Sequence, residues 1–162
     1  DPMQSGIVRN QFDKHGVLYV GQTGRGWRSV GSQAFGLEKV RWDRRTTPVE
    51  MHSVRLTTTG FEIRFTQPMS EQELANPLNY AIRHWHYLYR PEYGSPKVDP
   101  TKVSPRRVWV SHGGMRVHLE MPLVKNKVYE FKLLGMHAQS GGALTNPIGW
   151  YTLNRLRLDN LR

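Results

Sequence analysis

Phe61-Glu62-Ile63-Arg64-Phe65-Thr66, followed by Gln67-Pro68-Met69-Ser70, is the stretch that decides the fold. Phe61, Ile63 and Phe65 fall on one face of an extended strand. Glu62, Arg64 and Thr66 fall on the other. Such alternation predicts a strand with one buried side and one wet side. Pro68 stops it, because proline has no N–H to give to a ladder. Ser70, followed three residues later by Glu73, fits the capping box of one helical turn. Asn76-Pro77-Leu78-Asn79-Tyr80 is a turn cluster, and Tyr80 to Tyr89 reads as a long strand.

Working outward, the same period recurs. Val54 and Leu56 are the apolar side of a strand before Phe61. Pro91, Gly94, Pro96 and Pro100 mark an irregular loop. Gly113-Gly114 suits the two central positions of a hairpin turn of the primed types. That choice sets Val110 against Val117 and Val108 against Leu119, apolar on both strands. It sets Ser111 against Arg116, Trp109 against His118 and Arg107 against Glu120 on the outward face. A slip of one residue would destroy the agreement. Tyr129, Phe131 and Leu133 give one more apolar face, and Ile148 to Leu153 a closing strand. No long helix and no internal repeat is visible. The fold expected is all-β: an antiparallel Ig-like β-sandwich of about seven strands with an N-terminal β-hairpin appendage.

The 162 residues suffice for one cored domain and a small appendage. The absence of cysteine excludes disulfides, thiol catalysis and thiolate metal sites. No apolar run is long enough to cross a bilayer as a helix. The abrupt start at Asp1-Pro2 reads as a piece of something larger. The net charge of +10 is spread along the chain without a run of like charges. Arginine supplies most of the 23 basic side chains, and it suits planar contact with sulfate, phosphate or carboxylate. A basic soluble surface and a polyanionic partner both fit.

Before the sandwich, Val17 to Gly21 and Leu37 to Trp42 read as two strands. Between them runs Gly21-Gln22-Thr23-Gly24-Arg25-Gly26-Trp27-Arg28-Ser29-Val30-Gly31, too glycine-rich for a helix and too long for a tight hairpin. Thr46-Thr47-Pro48 marks a linker, so the expected parts are 1–46, 47–154 and a basic tail, 155–162. Leu18 to Trp27 with Gly36 to Trp42 resembles the last hairpin of a β-propeller of the glucose/sorbosone dehydrogenase-like type. The likeness continues through Tyr93-Gly94-Ser95-Pro96 and Trp150-Tyr151-Thr152-Leu153-Asn154. The strand, Pro-Met-Ser break and Asn-Tyr re-entry look like Ig-like modules of secreted, multi-module bacterial proteins. The resemblance implies a carboxy-terminal accessory piece beyond a propeller, extracellular or periplasmic. It implies no quinone, calcium or sugar site, since those parts of the family pattern are missing.

The residues agree that catalysis is not written here. The thirteen acids are scattered, with Glu62 and Glu120 on outward positions. No nucleophile elbow, phosphate loop or zinc-type helix motif occurs. His84 and His86 share a strand face, but a third metal ligand is not apparent. Aromatics are the better lead. Trp85, Tyr87 and Tyr89 alternate with Arg83 in step, either as core or as a stacking strip. Trp109 falls on the outward face beside Arg107 and Arg116. Trp27 sits between Arg25 and Arg28, either packing its loop or offering a ring with two anion clamps. The expected function is a non-catalytic accessory module of a secreted bacterial carbohydrate-active protein, without cofactor, that binds polysaccharide, with anionic or sulfated polymers among the candidates. The alternative is a purely structural spacer that docks the upstream propeller. Nucleic-acid binding is weaker, because no helix-turn-helix, RNP motif or lysine-rich arm appears.

Overall fold

The computed structural model describes residues 3–24, 31 and 33–157. It divides the chain into two compact units, 1–46 and 47–162. The first is a three-stranded antiparallel sheet of β1 (Gly6–Phe12), β2 (Leu18–Thr23) and β3 (Phe35–Val40), in that order. The expected hairpin is the β2–β3 pair, with Leu18 opposite Val40 and Thr23 opposite Phe35. Strand β1 was not legible beforehand. Its Ile7-Val8 pair interrupts the alternation, and the β1–β2 register shifts between Ile7 and Arg9.

The second unit is nearly all β, with one α-helical turn and a 3-10 turn at Pro77–Asn79. Its strands are β4 (Met51–Leu56), β5 (Gly60–Phe65), β6 (Tyr80–His86), β7 (Val98–Val103), β8 (Arg107–Ser111), β9 (Arg116–Glu120), β10 (Lys127–Leu133) and β11 (Ile148–Leu153). They form two antiparallel sheets, β4-β5-β9-β8 and β11-β10-β6-β7. Successive hairpins therefore alternate between the sheets. The extra strand over the expected count is β7, which contains Pro100. Proline and its neighbours read as loop, yet β7 is an edge strand, where a missing N–H costs no ladder bond. Strand β6 ends at His86, short of Tyr89.

Phe61, Ile63 and Phe65 of β5 are buried against Tyr129, Phe131 and Leu133 of β10 in one core. The Phe61 ring lies 4.9 Å from Phe131, 5.0 Å from Tyr129 and 5.3 Å from Tyr151. These contacts join the two sheets, at separations where tilted and edge-on rings attract. Val117 and Leu119 complete the core, while Val108 and Val110, on edge strand β8, pack against it only partly buried. The buried Tyr129 hydroxyl donates to the Pro122 carbonyl and accepts from Val124 N–H. Burial pushes that phenol up from its ordinary pKa.

The β8–β9 hairpin has the register derived from Gly113-Gly114, with Arg107 opposite Glu120 through Ser111 opposite Arg116. Gly113 and Gly114 take φ of 62° and 84°, and Met115 N–H closes the turn onto the His112 carbonyl at 3.2 Å. A Cβ on Gly114 would also run into the Met69 backbone. Ser70 caps the helix α1 (Glu71–Ala75), its hydroxyl accepting from Glu73 N–H at 3.4 Å. Only half the capping box forms, because the Glu73 carboxylate accepts instead from His137 N–H at 2.7 Å. Of the expected tail 155–162, residues 155–157 are irregular chain and the rest lie outside the described residues.

Candidate binding surfaces

Three surfaces compete for a functional role, and two are the outer faces of the sandwich. On the sheet β11-β10-β6-β7, pairing sets Glu130 between Arg83 and Trp150. Arg83 Nε donates to Glu130 Oε1 at 2.7 Å, and Trp150 Nε1 donates to Oε2 at 3.0 Å. Lys97 Nζ stands 3.7 Å from the same carboxylate. Burial pushes this carboxyl up, but the Arg83 and Trp150 hydrogen bonds and the Arg83 and Lys97 charges outweigh it. The net effect holds Glu130 below the usual carboxylate range.

Trp85 lies on this same face and is only 1% exposed. Lys97 Nζ covers its ring at 3.9 Å from the centroid, Arg83 at 5.6 Å, and Tyr87 meets it edge-on at 6.3 Å. Exposure was the condition for Trp85 to serve in a stacking strip, and Trp85 does not meet it. Tyr87, 48% exposed, and the fully exposed Tyr89 do. They follow the end of β6, so strand periodicity no longer aligns them with Trp85. Next to Trp85, His84 is buried toward the core, its ring 5.1 Å from Tyr129. Burial, then the nearby Lys127 charge, push His84 below its ordinary pKa. His86 meets Lys127 at 2.8 Å instead of a metal partner set. Among the described residues no group of three or more His, Asp or Glu could hold a metal ion.

The opposite face repeats the pattern. Glu62, expected on the wet side, is on the outward face but buried. Arg64 Nε reaches it at 2.6 Å, Arg116 at 3.6 Å and His118 Nε2 at 3.8 Å. Burial raises its pKa, and the Arg64 hydrogen bond with the Arg64, Arg116 and His118 charges lowers it further than that. Trp109 stacks on His118 at 4.9 Å and 5° between planes, with Arg107 5.4 Å from its ring. At 37% exposure Trp109 keeps its outer rim in solvent, as the register required. Ser111 Oγ holds His118 Nε2 at 3.0 Å.

The third surface belongs to the N-terminal unit. Arg25, Trp27 and Arg28 lie outside the described residues. The same chemistry appears elsewhere in that unit. Asp13, His15, Gly16, Val17, Tyr19, Arg41, Trp42 and Arg44 line a hollow of about 600 Å³. Tyr19 and Trp42 are both exposed there. Sequence reasoning passed over them, treating Tyr19 and Trp42 as strand residues. The signal was Trp42 between Arg41 and Arg44, the same pattern that singled out Trp27.

No family model matches this chain, and no curated protein does. Solved structures do. The structure of surface layer protein SbsC, domains 1-6, superposes with a TM-score of 0.50 at 23% identity, over 67% of this chain and 14% of that chain. The crystal structure of the N-terminal part of the bacterial S-layer protein SbsC gives 0.49 at 23%, over 67% of this chain and 24% of that chain. This chain therefore spans a minor part of those proteins' length, and the likeness is one of fold.

Proposed function

We propose that the chain is a non-catalytic structural module of an exported bacterial protein, its sandwich serving as a rigid body that spaces or docks neighbouring modules. One observation carries this reading: on both outer faces of the sandwich the central carboxylate is paired with arginine and the tryptophan beside it is covered by a cation or stacked on histidine, although the buried Trp85 Nε1 has no hydrogen-bond partner among the described residues. Glu62 and Glu130 are each committed to arginine, so neither is a free general acid or base. Trp85 is roofed by cations and closed to a sugar ring. The likeness of fold to domains of a surface layer protein supports a place at the bacterial surface. The hairpin resemblance supports an upstream β-propeller as the docking partner. Exposed Phe35 and Leu37 on the N-terminal sheet are what such an element would present to a neighbour. Assays with sugars and glycosides, with and without a quinone, should show no turnover. Trp109→Ala and Arg116→Ala should leave retardation in polysaccharide gels unchanged. Turnover, or loss of retardation in either variant, would overturn the reading.

A second reading, polysaccharide binding, is favoured by the exposure of Tyr87 and Tyr89 beside Arg90. The Trp27 loop with Arg25 and Arg28 belongs to the same proposal. Two free rings offer stacking planes that need no net charge on the sugar. Affinity electrophoresis of Tyr89→Ala and Trp27→Ala against neutral, uronate and sulfated polysaccharides tests it. Mobility equal to wild type in every gel removes it.

A further inference from the structure

We propose that the hollow between residues 13–17 and 41–44 binds a short segment of acidic oligosaccharide, one bearing carboxylate or sulfate groups. Its volume of about 600 Å³ falls within the roughly 300–1,000 Å³ usual for small-ligand sites. Trp42 and Tyr19 bring two exposed rings to it, and the apolar C–H face of a pyranose stacks on such rings. Arg41 and Arg44 bring two guanidinium groups, whose planar forks match carboxylate and sulfate oxygens. Both are exposed, and no ion pair engages either among the described residues. The one acid on the wall is already occupied. Asp13 Oδ1 accepts from His15 N–H at 2.8 Å and from Val17 N–H at 2.9 Å. Asp13 sets one negative charge against the two positive charges of Arg41 and Arg44, so the lining remains cationic.

The walls are built before any ligand arrives. Asp13 N–H bonds to the Val17 carbonyl at 2.9 Å, and Gly16 N–H to the Asp13 carbonyl at 3.1 Å. Across the hollow, Trp42 Nε1 donates to the Thr46 carbonyl at 2.9 Å, which fixes the indole. Asp43 Oδ1 accepts from Arg45 N–H at 2.9 Å, and Arg44 between them takes a φ of 62°. A pre-formed site loses less side-chain and loop freedom on binding. A sugar fits better than a nucleic acid strand. The latter wants a positive groove that tracks several phosphates, whereas this hollow is short and offers two guanidinium groups and two rings, Arg41, Arg44, Tyr19 and Trp42. The site shares no residue with the sandwich faces or with Tyr87 and Tyr89, so it stands apart from both readings above.

The test is affinity electrophoresis of the full chain in gels containing polygalacturonate, heparin or neutral dextran, at low and high salt. Wild type should be retarded by the acidic polymers, less so at high salt, and not by dextran. Trp42→Ala should weaken retardation about tenfold, by analogy with the loss of one stacked ring. Arg41→Gln/Arg44→Asn should do the same, with asparagine chosen because it tolerates positive φ. Trp42→Phe keeps a ring and should retain most of the binding, and circular dichroism checks that each variant is folded. Trp109→Ala should behave as wild type. Equal retardation of wild type and both disruptive variants, or no retardation at all, would overturn the site. Tighter binding of oligothymidylate than of polygalacturonate would overturn its assignment to a saccharide.

Discussion

The sandwich and the N-terminal sheet use the same alternating strands and reach opposite ends. In the sandwich the apolar sides of β5 and β9 meet those of β10 and β6, and each sheet supplies the other's dry face. In the N-terminal unit, among the described residues, only Val17, just before β2, and Val20 within it are buried hydrophobics. Phe35 and Leu37 are 78% and 76% exposed. Alternation tells which side chains share a face. It does not tell whether anything covers that face, and three strands without a second layer bury little.

The sharpest way to break this contrast is a pair of truncations. Phe131→Ala should lower unfolding stability by about 3–5 kcal/mol in urea, because it empties a buried ring site between the sheets. Phe35→Ala should change it by less than about 0.5 kcal/mol, as an exposed position does. Similar losses for both would show that the two regions are not so different.

Gly114→Ala should cost about 1–3 kcal/mol, since alanine there is strained by its positive φ and meets the Met69 backbone. Gly113→Ala, with open space at its Cβ, should cost less. Glu130→Ala should cost less, about 0.5–1.5 kcal/mol, because the Trp150 indole N–H and the Arg83 guanidinium that lose their partner are both exposed enough for water to replace it. Thermal denaturation at neutral pH would measure each.

Acid should act on the sandwich in two stages. His84 is held below the ordinary histidine value of 6.5, so the unfolded chain takes up the proton first and stability falls as pH drops below that value. Glu62 and Glu130 are held below 4.5, and their contribution is lost as pH falls on through their folded values. Glu62→Gln/Glu130→Gln should flatten the second stage. An unchanged profile in that variant would show the arginine pairings to be without influence.

Much of the sandwich was legible because its signals were local. The Gly113-Gly114 turn fixed a register, and the register sorted Val108, Val110, Val117 and Leu119 to one side. Strand β7 was hidden because Pro100 speaks for a loop unless the strand is known to be at an edge. The burial of Glu62, and the way Trp85 is buried, were hidden for another reason. Both sit on outward faces, and they are covered by arginine and lysine side chains from elsewhere in the unit. No period within one strand reports that. The hollow around Trp42 was hidden because Asp13 and Arg44 are brought together by pairing of β2 with β3, not by sequence neighbourhood.

Native-state hydrogen exchange on the full chain tests the contrast most directly. Amides of β5, β6, β9 and β10 should exchange only through global unfolding, with a protection free energy equal to that from urea. Amides of β1, β2 and β3 should exchange through local opening, at markedly lower protection. Equal protection in the two units, moving together as urea is added, would contradict the account.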